Sequence, residues 1–160
     1  MANGFEIVQY KQKIASMLIN NEHIVDVIDN KDIEEPEELI EQNIFNYLRY
    51  PFAPEEELTF ICFEVECPEV YSDQNYLFKQ NVITFYIVTH ERLMPTVGYE
   101  GATRIDLLAA YVDEMFNGAR GFGSKPLELI SSESQPLSLK HRCRILKYAT
   151  DDLNKNLCRK

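Results

Sequence analysis

Three histidines, four cysteines and a few paired acids are the residues of this 160-residue chain whose types could support chemistry. His23, His90 and His141 are each capable of binding a metal or moving a proton, but no ligand spacing joins any two of them, and they fall on three separate predicted elements. They read as ordinary surface or core histidines. Cys62, Glu64 and Glu66 alternate along one predicted strand, which puts two carboxylates on one face. Paired carboxylates can act as acid and base when a cleft drives their pKa values apart; without one, the same alternation is an exposed strand face. Cys62 and Cys67 are too far apart for the usual zinc pair. With Cys143 and Cys158 they are too few and too scattered for a disulfide scaffold, and they read as buried thiols. The acidic run Asp32–Glu38 lacks the alternating Asp and the Gly of a calcium loop and reads as a solvated helix entry. The loop Gly118–Lys125 has a phosphate loop's composition in the reverse setting. It follows a helix and precedes a strand, whereas an anion needs the helix N-terminus that comes after the glycines. It reads as a flexible connection. The zinc-protease, serine-hydrolase and Walker motifs are absent. The expectation is no catalytic, metal or cofactor-binding residue, no cofactor and no enzyme activity.

Charge points to protein partners instead. The formal net charge is −10, which disfavours nucleic acid as a main partner because phosphate binding draws on Lys and Arg. From Asp26 to Glu69 there are fourteen acids and two bases; from Lys140 to Lys160 there are seven bases and two acids. Such asymmetry suits association of one surface with its complement on a neighbour, and equally two solvated surfaces. Lys140, Arg142 and Arg144 share one strand face, with Lys147 out of phase. No apolar run reaches the roughly 20 residues of a membrane span. With no signal peptide legible at the N-terminus, folding in a reducing cytoplasm is expected.

The elements that must position these residues follow from periodicity. Apolar content of 45% with nine Tyr and nine Phe is that of a globular chain. Ile7, Tyr10, Ile14, Met17 and Leu18 make a helical stripe. Residues 22–35, with Ile24, Val25, Val27 and Ile28, fit a short helix or a strand. Pro36 opens a predicted second helix, with Ile40, Ile44, Tyr47 and Leu48 as its stripe and Pro51 and Pro54 as its stop. Thr59–Cys67 and Leu77–His90 read as an antiparallel hairpin around a turn at Pro68–Asn75, the second strand interior to the sheet. Thr103 caps a helix carrying Ile105, Leu108, Ala109, Val112, Met115 and Phe116, and Gly118 ends it. Leu127–Ser131 and Leu137–Tyr148 close the chain around a turn at Ser132–Pro136, and Asp151–Lys160 is a polar tail. The prediction is one α+β domain over residues 1–150, ordered α-α-β-β-α-β-β, with a four-stranded antiparallel sheet and helices on one face.

The stretches FICFEVECPEVYSDQNYLFKQNVITFYIVTH, TRIDLLAAYVDEMFNG and LELISSESQPLSLKHRCRILKYATDDL, in that order, resemble the tail-terminator and tail-completion proteins of long-tailed bacteriophages. The resemblance covers Thr59 to Leu153. The chain departs from the family pattern at its front, where two helices and an acidic linker precede the hairpin. What the resemblance implies is a structural virion protein, a homo-hexameric ring that caps the tail tube and joins it to the head-proximal connector. It would be assembled in the host cytoplasm, with no membrane and no specific nucleic-acid contact, although DNA would pass through the ring. An acidic channel wall would keep that DNA from sticking. Loops commonly carry contacts, and Tyr71, Tyr76, Arg92, Arg142 and Arg144 are the expected subunit-contact residues. Other readings are a head-completion or stopper protein, a free-standing acidic binding protein that mimics nucleic acid, and a small metal-dependent enzyme using Glu64, Glu66 and a histidine.

Overall fold

A computed structural model describes residues 4–68, 78–96 and 98–153. The expected turn at Pro68–Asn75, including Tyr71, and also Tyr76 and Cys158 fall on residues outside that set, Pro68 excepted. The first helix, α1 (Gly4–Ile19), buries Ile14 and Leu18 completely and lays Ile7, Tyr10 and Met17 against the same core. Asn21 then starts a second helix, α2 (Glu22–Ile28), by accepting the N–H of Ile24 at 3.1 Å on its side chain. That cap decides the region the sequence leaves open: its apolar residues form a helix. Asp29 ends it in the left-handed region, φ 55°, a conformation that Asp tolerates better than most residues.

The predicted helix at Pro36 does not form. A single 3-10 turn at Pro36–Leu39 gives way to a two-residue strand, β1 (Ile44–Phe45). Ile40, Ile44, Tyr47 and Leu48 mimic a helical stripe by spacing, yet only Ile44 of the four is buried. Glu41 at φ 64° breaks the helical path. Buried Asn43 donates its side-chain N–H to Thr59 O at 2.7 Å and accepts from Asn30 Nδ2 at 2.7 Å. Ile44 and Phe45, neighbours in sequence, point into cores on opposite sides of the sheet. A strand does that and a helix cannot.

The sheet therefore has five strands rather than four and is mixed rather than antiparallel, in the order β1-β2-β3-β5-β4. Its other members are β2 (Thr59–Glu66), β3 (Phe78–His90), β4 (Glu128–Pro136) and β5 (His141–Leu153), with β1 parallel to β2 and every other pair antiparallel. As expected, β2 and β3 are an antiparallel pair and β3 is interior. The last helix, α3 (Arg104–Phe116), also matches: Thr103 Oγ1 accepts the N–H of Asp106 at 3.3 Å, and Ile105, Leu108, Ala109, Val112 and Phe116 are buried. Gly118 takes φ 84° beyond its end, where an L side chain is strained.

The closing hairpin turns later than predicted. β4 runs through Ser132–Pro136, and the turn is Leu137–Lys140, held by Ser138 Oγ, which accepts the N–H groups of Lys140 at 3.3 Å and His141 at 3.2 Å. Pro136 is tolerated because its position faces away from β5, so no ladder bond is lost. β5 likewise continues to Leu153, and Asp152, predicted to lie in a loose tail, is buried opposite Lys79. The three helices cover one sheet face around Phe63, Phe85, Phe116 and Tyr148. Burying one such ring stabilises the fold by about 1.5–3 kcal/mol. The opposite face has a smaller core, Phe45, Phe60, Cys62, Val88 and Cys143, to which no helix contributes among the described residues.

Candidate functional site

The residues singled out for chemistry are engaged structurally. Glu64 accepts from Lys11 Nζ at 3.1 Å and from the N–H of Leu48 at 3.0 Å, while Glu66 is exposed at the strand end. Burial pushes the Cys62 thiol up to about 11 and that of Cys143 up to about 12, so both stay protonated and weakly nucleophilic near neutrality. Among the described residues no group of three His, Cys, Asp or Glu side chains is placed to hold a metal ion, and no helix is long and apolar enough to cross a membrane. The loop Gly118–Gly123 is anchored rather than free. Phe122 is fully buried in the main core, and Asn81 Nδ2 donates to its carbonyl at 2.8 Å. A Cβ at Gly123 would come within 2.8 Å of Asp151 O.

The structure brings together two histidines that sequence spacing keeps apart. His90 ends β3 and His141 begins β5, and the antiparallel register sets them opposite each other with ring centroids 5.1 Å apart. His90 Nδ1 accepts the N–H of Arg92 at 3.2 Å, so its Nε2–H donates to Pro54 O at 3.2 Å. Ser138 donates to His141 Nδ1 at 2.8 Å, so the Nε2–H of His141 donates to Glu56 O at 2.7 Å. Every ring nitrogen has a partner in the neutral tautomer. The pair ties the segment 54–57 across the sheet end. The signal was available in principle: in neighbouring antiparallel strands the end of one meets the start of the other.

Beside this lock sits a second arrangement that sequence reading missed. The guanidinium of Arg49 lies about 5 Å from three rings, those of Phe45, Phe52 and Phe60, and its Nη2 donates to Glu56 Oε1 at 2.6 Å. Cation–π contact and an ion pair together pin the segment 46–57 over the smaller core. No sequence motif marks such a cage.

Of the expected contact residues, the three that the structure describes, Arg92, Arg142 and Arg144, lie near the same end of the sheet, each paired within the chain. Arg92 donates to Glu57 at 2.6 Å and is three-quarters exposed. Arg142 pairs with Glu91, and Arg144 donates to Asp106 at 2.6 Å. Lys140 reaches Glu55 at 3.8 Å. The row Arg142 and Arg144 thus stands on the helix-covered face, its charge met by Glu91 and the first turn of α3. On the opposite face, the segment over the smaller core exposes Tyr47, Tyr50 and Phe52, the last at 90%, and Leu139 in the closing turn is 85% exposed. A cleft of about 370 Å³ between α2 and α3 is lined by His23, Asp26, Thr96, Tyr99, Arg104 and Tyr111. His23 stacks on Tyr111 at 5.0 Å, and Arg104 spends its donors on the carbonyls of Val27, Leu93 and Pro95. The cleft has no converging free groups of one sign and so no clear ligand chemistry.

A sequence profile of the family YomW matches residues 11–150. No curated protein sequence matches the chain. Among solved structures, a chain from "Virion of native gene transfer agent (GTA) particle" is similar in fold, with a TM-score of 0.56 over 90% of this chain and 94% of that one, at 11% identity.

Proposed function

The chain belongs to the YomW family, and from that premise we propose that it is a structural protein of a phage-like virion, a tail-terminator or tail-completion subunit. In this reading it forms a hexameric ring that caps the tail tube and joins it to the connector, and it catalyses nothing. The observation that carries the reading is the shared fold with a chain of the gene transfer agent particle, which spans nearly the full length of both chains. The family is phage-derived, which agrees. The resemblance of the segments from Thr59 to Leu153 supplies the finer assignment to the tail end. The charge of −10 suits a ring through which DNA must slide.

Inactivating the gene in its phage or prophage tests this. A terminator's loss leaves tubes uncapped, so tails should grow past their normal length and fail to join filled heads. The expected result is separate heads and over-long tails in electron micrographs, restored by the gene in trans. Normal-length tails beside heads that leak DNA would move the chain to the head side as a stopper or head-completion protein. Intact, infectious virions would end the structural reading.

A further inference from the structure

Lys79 and Asp152 are the only Lys, Arg, Asp or Glu side chains among the described residues that are buried, at 2% and 4% exposure. The ladder of β3 and β5 sets them directly opposite each other near its end. Glu6 of α1 comes down on the pair and accepts from Lys79 Nζ; it too is largely buried. Asp152 uses its two oxygens unequally. Oδ1 accepts the N–H of Leu153 at 2.8 Å. Oδ2 lies 3.9 Å from Lys79 Nζ, beyond hydrogen-bond length, and has no hydrogen-bond partner among the described residues. As an ion pair this is a poor arrangement. Burying two charges is offset only where the geometry is good and the remaining polar atoms are bonded. As a set of reactants it is complete: an amine, a carboxyl carbon and a second carboxylate on the amine, all shielded from water.

We propose that Lys79 and Asp152 condense in the folded chain into an amide cross-link, with Glu6 carrying the protons. Glu6 takes a proton from the Lys79 ammonium, and the freed amine attacks Cγ of Asp152. Oδ1 takes the developing negative charge against the N–H of Leu153. Oδ2 is the oxygen that leaves, because no hydrogen bond holds it. The N–C bond forms, the C–Oδ2 bond breaks, and two protons pass from Nζ to Oδ2 through Glu6. One water departs, Glu6 is regenerated, and nothing is oxidised or reduced. In water an ammonium and a carboxylate stay apart because both ions are well hydrated. Burial removes that hydration, and turning the two ions into one neutral amide removes its cost. The strand register supplies the rest. Groups held in place react as though at about 10⁵ M or more, and a movement on the order of 1 Å brings Nζ to attacking distance, about 3–3.5 Å. The bond follows folding, so the ion cluster is the state of the freshly folded chain. Proximity alone does not suffice: Lys125 and Asp151 stand closer, at 2.7 Å, but the lysine is two-thirds exposed and water keeps it hydrated. The inference does not rest on the virion reading.

Mass spectrometry of the full chain, as purified and after incubation at neutral pH, tests the cross-link. The expected result is a species lighter by one water, growing with time. In it trypsin fails to cut at Lys79, and the peptide carrying Lys79 is joined to the one carrying Asp152. Lys125 and Asp151 should stay unlinked, and so should a chain held unfolded in urea. Lys79→Arg keeps the cation without a nucleophilic amine and should abolish the link. Glu6→Gln should slow it at least tenfold with unchanged circular dichroism. Where Glu6→Gln fails to fold, the contrast between the two lysine–aspartate pairs in the parent chain decides. A folded chain that keeps its full mass throughout overturns the proposal and leaves a buried ion cluster only. A water lost within a single peptide, linking as fast in Glu6→Gln, or equal linking at Lys125 and Asp151 also overturns it.

Discussion

Strands β3 and β5 run paired for thirteen residues, and the two ends of that ladder satisfy buried polar groups in different ways. At one end each ring nitrogen of His90 and His141 has a hydrogen bond. At the other end Lys79, 2% exposed, pairs with Glu6 and stands 3.9 Å from Asp152. Asp152 Oδ2 has no hydrogen-bond partner among the described residues. Burial, then the charges of Asp152 and Glu6, push the nearby Tyr10 hydroxyl up to about 12. Taking charge out of water costs several kcal/mol per ion, and attraction between the ions recovers it only when geometry is good. A pair of rings with every nitrogen hydrogen-bonded carries no unsatisfied group of that kind. The histidine end should therefore be the cheaper and more local device, and the lysine end the one whose breakage unfolds the chain.

Removing the cation separates the two most sharply. Lys79→Met takes away the buried cation beside Glu6 and Asp152 and should cost about 3–5 kcal/mol in urea unfolding. The triple change Lys79→Met, Glu6→Gln, Asp152→Asn should recover most of it, because the charges are gone. A triple variant no more stable than the single one would mean that the end is held by geometry and not by charge balance.

At the histidine end His141→Ala strands the carbonyl of Glu56 and the hydroxyl of Ser138. The expected cost is about 1–3 kcal/mol. Hydrogen exchange should rise in residues 54–57 and at the ends of β3 and β5, with little change around Lys79. Equal loosening at both ends of the ladder would erase the distinction between a local and a global device.

Which parts of this were legible follows the range of the interactions. The helix ending at Phe116 was readable because its cap, stripe and terminal glycine lie within sixteen residues, Thr103 to Gly118. β2 and β3 were readable because β-branched and aromatic residues alternate densely there. The segment after Pro36 was misread because Asn43 reaches Thr59, and that long-range bond overrides a helical spacing. The late turn was missed because Ser138 is a stronger turn-former in place than Ser132–Pro136 is by composition. Both buried polar pairs were invisible because they exist only in the register of strands about fifty to seventy residues apart. The contact residues on the surface follow no periodicity at all, which is why resemblance, not pattern, suggested them.

The histidine end is not wholly uncharged, and this gives the finest test of the comparison. The segment it holds also carries Glu56, whose carboxylate takes Arg49 Nη2 and, at 2.8 Å, the N–H of Phe52. Burial alone would raise this group. The hydrogen bonds from Arg49 and Phe52, with the charge of Arg49, win and hold it below the ordinary 4.5. A carboxyl lowered on folding adds stability above its unfolded value, and that contribution is lost as pH falls through the folded one. The stability of the parent chain minus that of Glu56→Gln should thus be greatest near neutrality and shrink as the medium is acidified. A difference that stays constant across the acid range would show Glu56 acting as a neutral hydrogen-bond acceptor. The end of the ladder at His90 would then be held by hydrogen bonds and not by charge. A difference that shrinks makes Arg49 and Glu56 the charged clamp and the two histidines its hydrogen-bonded backing.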